Sequence, residues 1–205
     1  MPTILSHPAP ILALGAGLGA KRIPPRLLFV GLFFAIAPDF DVIGFRLGVQ
    51  YADLLGHRGF SHSLFFALCC GVFGFLVAPW LRCRRITAFL VLFTAVASHI
   101  ALDAATSGGL GVAAFWPVSD ARYFFPWRPI RVSPFSIRAF FGARGIAILK
   151  SELLWIWLPS AGFALILRVF RFFRRRKDTP RMIQESGDRG QETENSCGLR
   201  PEKNL

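Results

Sequence analysis

The chain has 205 residues, 53% of them hydrophobic, and a mean hydropathy of +0.47. That balance excludes an ordinary soluble domain and suits a small polytopic membrane protein, an all-α helical bundle. The formal net charge of +12 is uneven: residues 1–177 hold 20 Lys/Arg against 6 Asp/Glu, while the last 28 residues hold 4 against 6.

The first apolar run, Ile4–Ala20, has near-spanning length and opens on His7. No cleavable signal peptide is expected, because the basic pair Lys21-Arg22 follows this run and no basic stretch precedes it. The second run, Leu27–Pro38, holds only 12 residues. At 1.5 Å per residue it reaches ~18 Å, short of a hydrocarbon core of ~30 Å. It reads as a short, protein-buried span; the alternatives are a half-span, a re-entrant element, or the first part of a longer helix carrying Asp39 and Asp41 into the bilayer. Leu64–Leu81, Ile86–Ala105 and Leu153–Phe170 complete about five membrane segments. Residues 177–205 are polar and mixed in charge and read as a disordered tail behind a membrane domain of residues 1–176.

Basic clusters fall at Lys21, Arg22 and Arg26, at Arg82, Arg84 and Arg85, and from Arg168 to Lys177. Placing all three in the cytoplasm puts the N-terminus outside and the C-terminus inside. A basic chain can also bind nucleic acid, but these charges flank apolar runs, so no nucleic-acid partner is expected and the partners are membrane lipids. Cysteine gives no signal: Cys69 and Cys70 lie in an apolar run, Cys83 in a basic turn and Cys197 in the tail, without a C-x-x-C pair.

Up-down threading has a consequence that does not depend on orientation. His7 starts segment one, Asp39 and Asp41 end segment two, and His57 and His62 precede segment three. His99 and Asp103 end segment four and Glu152 opens segment five, so all of them meet at one membrane face. Ionisable residues beside lipid are costly and are retained for function.

His99 and Asp103 stand at i and i+4, on one helical face, a spacing for shared metal ligation or for a buried His–Asp hydrogen bond. In His57-Arg58-Gly59-Phe60-Ser61-His62-Ser63, Gly59 permits a sharp turn, Ser61 is placed to cap the next helix, and two imidazoles form a ligand platform. Asp39 and Asp41 diverge by about 200° on a helix, so one can coordinate while the other orients a ligand or acts as general base. His7 is an extra candidate ligand, and Arg58 and Arg122 are candidate anion contacts. The aromatic, basic stretch Phe115–Arg128 suits the headgroup region.

A His/carboxylate set without thiolates suits Zn²⁺ first, then Mn²⁺ or Fe, as one or two ions. The reading is His57, His62, His99, Asp103, Asp39 and His7 as metal ligands, with Asp41 and Arg58 in catalysis. Such a site would hydrolyse a phosphoester through a metal-activated water, and a position at headgroup depth would give it a phospholipid or lipid-linked substrate. A non-catalytic membrane protein that binds or transports metal is the main alternative, and a metal-free polar network in a scaffold protein is a third.

The order of motifs is similar to one known family. An early His, then Pro38–Asp41, His57–Ser63, His99–Ser107 and Trp116–Arg122, over about residues 1–125, resembles the YdjM-like family. Its members are bacterial inner-membrane proteins described as LexA-regulated, metal-dependent hydrolases. The resemblance implies that activity, a His/Asp metal site and the inner membrane. The His-x-x-x-Asp element also has a distant similarity to zinc-dependent phospholipases C, which implies phosphoester hydrolysis.

Overall fold

The computed structural model describes residues 1–133 and 142–174. The tail expected at 177–205 lies outside the described residues. The described chain is helical, with isolated bridges Thr106↔Ile130 and Val112↔Tyr123 and no strand.

Helix α1 is Ala9–Leu18. Residues 1–8 form turns that bring Ser6 and His7 against it, and Pro10 fits its first turn, where a missing N–H costs nothing. Gly19, at φ 74°, ends it by returning its N–H to Gly15 O. At 10 residues α1 spans about 15 Å, less than the near-spanning run Ile4–Ala20 suggested. Helix α2, Pro25–Ile36, starts on a proline for the same reason as α1. It then does what the shorter of the two readings did not allow. The chain continues past Pro38 as a 3₁₀ segment, Ala37–Leu47, giving one helical stretch Pro25–Leu47 long enough to cross. A proline removes one α-type hydrogen bond and crowds the turn before it. The tighter helix keeps the chain helical, and 11 residues is long for 3₁₀ geometry, which concentrates at functional or strained places.

Helix α3 is Leu64–Leu81 and α4 is Arg85–Ala104. Ser63 caps α3 by accepting from Phe66 N, so the expected cap at Ser61 is displaced by two residues and Ser61 serves elsewhere. The two helices pack closely because small residues face the contact. A Cβ at Gly74 would stand 2.8 Å from Ala88 O. Helix α5 runs Ala143–Arg174 and contains a π-helical turn, Leu153–Trp157, one residue past Glu152. Glu152 therefore lies inside the helix and does not open it.

Apolar packing joins α2, α3 and α4 in two layers. Ile23, Leu27, Ala78, Leu81 and Leu92 fill the end near the basic turns, and Ala67, Cys70, Val96, Ile100 and Val112 fill the other. The outward surface is apolar too: Phe29 is 71% exposed and Leu76 69%, as lipid-facing side chains should be. Four helices are long and apolar enough to cross a membrane, and α1 is a shorter apolar fifth.

The 105–133 segment folds as a cap. Its backbone bonds to the 57–64 loop through Ala113 N→Arg58 O and Leu64 N→Ala114 O, and to the N-terminal segment through Ser133 N→Met1 O. Trp116 sits edge-on to Phe60 and Phe65, 5.0 and 5.5 Å away. Trp116 is thus docked on protein, while Phe115, Tyr123, Phe125 and Trp127 stay exposed.

Candidate metal centre

Threading by alternate ends brings the polar signatures together. The described buried polar residues include all four histidines, Asp39, Arg58, Asp103 and Glu152, and all lie toward the cap end of the helices.

His99 comes from α4, and its Nδ1 lies 2.8 Å from Ala35 O. A carbonyl only accepts, so Nδ1 carries the proton and Nε2 presents a lone pair. That lone pair points 3.0 Å from His62 Nε2. Asp41 orients His62 from the other side: its Oδ2 is 3.2 Å from His62 Nδ1 and also accepts from Ser61 Oγ at 2.8 Å. A carboxylate that holds Nδ1–H leaves Nε2 as the donor atom, as in carboxylate–histidine–metal triads. Two carboxylates complete the ring. Asp103 Oδ2 is 3.3 Å from His62 Nε2, and Asp39 Oδ1 is 3.4 Å from His99 Nε2 and 3.7 Å from His62 Nε2. Ions with tetrahedral bonds of 2.0–2.2 Å separate their donors by roughly 3.3–3.6 Å. The separations among Asp39, His62, His99 and Asp103, all buried, run from 3.0 to 3.7 Å and straddle that range, and the four offer donor atoms within 4.8 Å of one another.

His7 faces the other oxygens of the same two acids, 3.5 Å from Asp39 Oδ2 and 3.7 Å from Asp103 Oδ1, and it stacks on His99 at 3.7 Å. Burial, helped by His99, holds its pKa down to about 3, so the ring is neutral and able to ligate. His62 behaves oppositely. Burial would lower it, but contacts with Asp103, Asp39 and Asp41 raise it well above the ordinary value, so a metal here would displace a proton.

The remaining named residues are placed as follows. His57 sets its Nδ1 2.7 Å from Asp41 Oδ1; it stands outside the four-residue group but forms with Asp41 and His62 a second group that could hold a metal ion. Arg58, fully buried at φ 67°, donates to Asp103 Oδ2 (3.0 Å), Gly108 O (2.9 Å) and Thr106 Oγ1 (2.8 Å). It orients Asp103. Gly59 is required next to it, since a Cβ would lie 2.1 Å from Leu54 O. Arg122 donates to the carbonyls of His57, Ala52 and Asp53, closing the 51–57 loop. Asp53 caps that loop by accepting from Gln50 N.

Glu152 is buried on Thr3 and Ser6. It accepts from both hydroxyls at 2.7 Å, and Trp157 Nε1 donates to Ser6 Oγ at 3.0 Å. It ties the N-terminal segment that carries His7 to α5. Nothing in the sequence pairs residue 3 with residue 152, so this role was not legible there.

A self-satisfied polar network would leave its buried atoms bonded. Here both nitrogens of His7, both oxygens of Asp39 and Asp103 Oδ1 are buried without a hydrogen-bond partner among the described residues. Such atoms are rare unless an ion or water completes them.

Fold and site together define a multi-pass helical membrane protein with a buried His/Asp cluster at one end. Residues 1–177 match the family model described as YdjM inner membrane protein, and the chain belongs to that family. It is 44% identical over 181 residues to the inner membrane protein YbcI of Escherichia coli (strain K12), covering 86% of this chain and 100% of that protein. No solved structure matches the chain.

Proposed function

We propose that the cluster holds a divalent metal ion, zinc before manganese or iron, and that the protein is a membrane-bound metal-dependent hydrolase acting on a phosphoester of a lipid or lipid-linked substrate. The observation that supports this reading is the convergence of two imidazole Nε2 atoms and two carboxylates within 4.8 Å of one another, His62 Nε2 lying 3.0–3.7 Å from the other three, with thiolates absent from the group.

His62, His99, Asp39 and Asp103 would hold the ion, which when bound supplies Lewis acidity toward a phosphoryl oxygen and lowers the pKa of water toward ~7. Asp41 fixes the His62 tautomer and Arg58 fixes Asp103. His7, neutral and set against the second oxygens of Asp39 and Asp103, is positioned to hold a second ion or to accept a proton. The site residues are buried, so a substrate reaches them only when the cap of residues 105–133 shifts. The basic turns support a periplasmic position for the cluster and a cytoplasmic C-terminus in this reading.

The same burial favours, as a second reading, a metal-binding protein without catalysis. Continuity of Pro25–Leu47 also favours transport, because it carries Asp39 further along a helix. Against transport, the buried ionisable side chains among the described residues stay at one end, and no path of them leads to the basic turns.

Elemental analysis of chelator-free, detergent-purified protein tests the site. The expected result is one or two transition-metal ions per chain, lost in His62→Ala and His99→Ala while both variants stay helical. Phosphodiester lipids in vesicles then test the reaction; metal-dependent cleavage is expected from the wild type alone. Metal-free wild type overturns the mechanism, and metal without turnover leaves the non-catalytic reading.

A further inference from the structure

A second site lies at the opposite end of the molecule. Between α1 and the α3–α4 turn is a groove of about 1020 Å³. Lys21, Arg22, Arg82 and Arg84 line its mouth, and all four side chains are exposed. Its wall is apolar, made by Leu14 and Leu18 of α1 and Leu90 and Val91 of α4. No carboxylate lines it, and none among the described residues pairs with any of the four cations.

The groove follows from the shape of the helices. α1 covers about 15 Å where the bilayer core is ~30 Å, and its last turn, Leu14 to Leu18, faces the early turns of α4 across the groove. Arg82, in the left-handed conformation at φ 56°, ends α3 and turns the chain so that Arg82 and Arg84 both border the opening.

We propose that this groove binds an anionic glycerophospholipid, with the phosphate among the four cations and an acyl chain along α4 from Thr87 to Thr94, about 10 Å of helix. Topology alone accounts for basic residues at a membrane edge, but it does not require a cavity whose other wall is apolar, with Leu90 51% exposed over the buried Val91. A soluble phosphate would leave that wall bare, while a lipid satisfies both halves. The bound lipid is a resident and not a substrate. The apolar wall runs up α4 to Thr94, five residues from His99, but the 18 residues of α3 separate the cationic end at Arg82 from His62 by about 27 Å, so a phosphate held there does not meet the metal donors. The site stands whether or not the protein is a hydrolase.

The test is lipid retention by the full-length protein in mild detergent, read by native mass spectrometry. Phosphatidylglycerol and phosphatidylcholine with identical acyl chains are offered together. The wild type is expected to retain one phosphatidylglycerol per chain in preference to phosphatidylcholine, and R82Q/R84Q to weaken retention roughly 30-fold at low salt. Leu90→Trp, at a position 51% exposed, should block the acyl wall with all charges intact and without disturbing the core. K21Q/R22Q, outside the helices, repeats the charge test should R82Q/R84Q fail to fold. Equal retention of the two lipids, or unchanged retention in folded charge variants, overturns the proposal. So does displacement by inorganic phosphate or glycerophosphate at equal concentration, which would assign the cations to a soluble anion.

Discussion

Asp41→Asn separates positioning from base catalysis. Asp41 makes four contacts: His57 Nδ1 at 2.7 Å, Ser61 Oγ at 2.8 Å, and Arg58 N and His62 Nδ1 at 3.2 Å each. An asparagine has the same shape but only one oxygen, and its NH₂ must face either the His57 side or the His62 side. If it faces His62, the ring rotates or exchanges tautomer, and Nε2 ceases to be a lone-pair donor toward the cluster. Loss of such an orienting carboxylate typically costs 10–100-fold in metal affinity, which is about 1.4–2.7 kcal/mol. Zinc competition against a chromogenic chelator, on folded protein in detergent, gives the affinity directly. The expected order is wild type, then Asp41→Asn weaker by that factor, then His62→Ala with no binding at this site. Affinity within twofold of wild type would refute the triad. If affinity held while phosphoester cleavage disappeared, Asp41 would instead be a base.

Three further outcomes follow from the same contacts. Arg58→Met strands Asp103, Thr106 and Gly108 in a buried site, and removing one partner of a buried pair costs about 3–5 kcal/mol, measured by chemical denaturation in detergent. Arg58→Met with Asp103→Asn should cost less than the sum of the two single changes. Glu152→Ala removes the acceptor for Thr3 and Ser6, so the N-terminal segment should become protease-sensitive while zinc at His62 and His99 is retained. Gly74→Val drives a side chain into the Ala88 backbone and should destabilise the α3–α4 contact by about 1–3 kcal/mol, read as a lowered Tm.

The helices were legible because their apolar runs are long, and the convergence of the histidines was legible because alternate ends of up-down helices share a face. What the sequence hid were the ends. Pro38 looked like a stop, yet the chain tightened into 3₁₀ geometry and went on to Leu47, which puts Asp39 toward His7 and His99, Asp41 toward His57, and both against opposite nitrogens of His62. The cap moved from Ser61 to Ser63 because Ser61 is held by Asp41, twenty residues upstream and outside any local signal. Arg58 and Arg122 carry the charge that anion contacts need, but their donors go to Asp103 and to loop carbonyls. Such assignments depend on which loop lies over which, information that spacing does not contain.

Charge balance bears on how many ions the cluster holds. Asp39, Asp41 and Asp103 carry three negative charges and Arg58 returns one, so with neutral imidazoles the buried site is left with two. The Met1 amine, 4.0 Å from Asp103 Oδ1, adds little, because burial holds its pKa to about 6. Burying two uncompensated charges costs several kcal/mol each, and one divalent cation cancels them. In its absence the raised pKa of His62 lets a proton offset part of the excess. A second divalent ion beside His7 would overshoot by two positive charges unless an anion came with it. Resting protein should therefore hold one ion per chain, and a second should bind only with phosphate or a phosphoester present. Zinc titrated by calorimetry with and without inorganic phosphate decides this, and two equal sites in phosphate-free buffer would refute the charge argument.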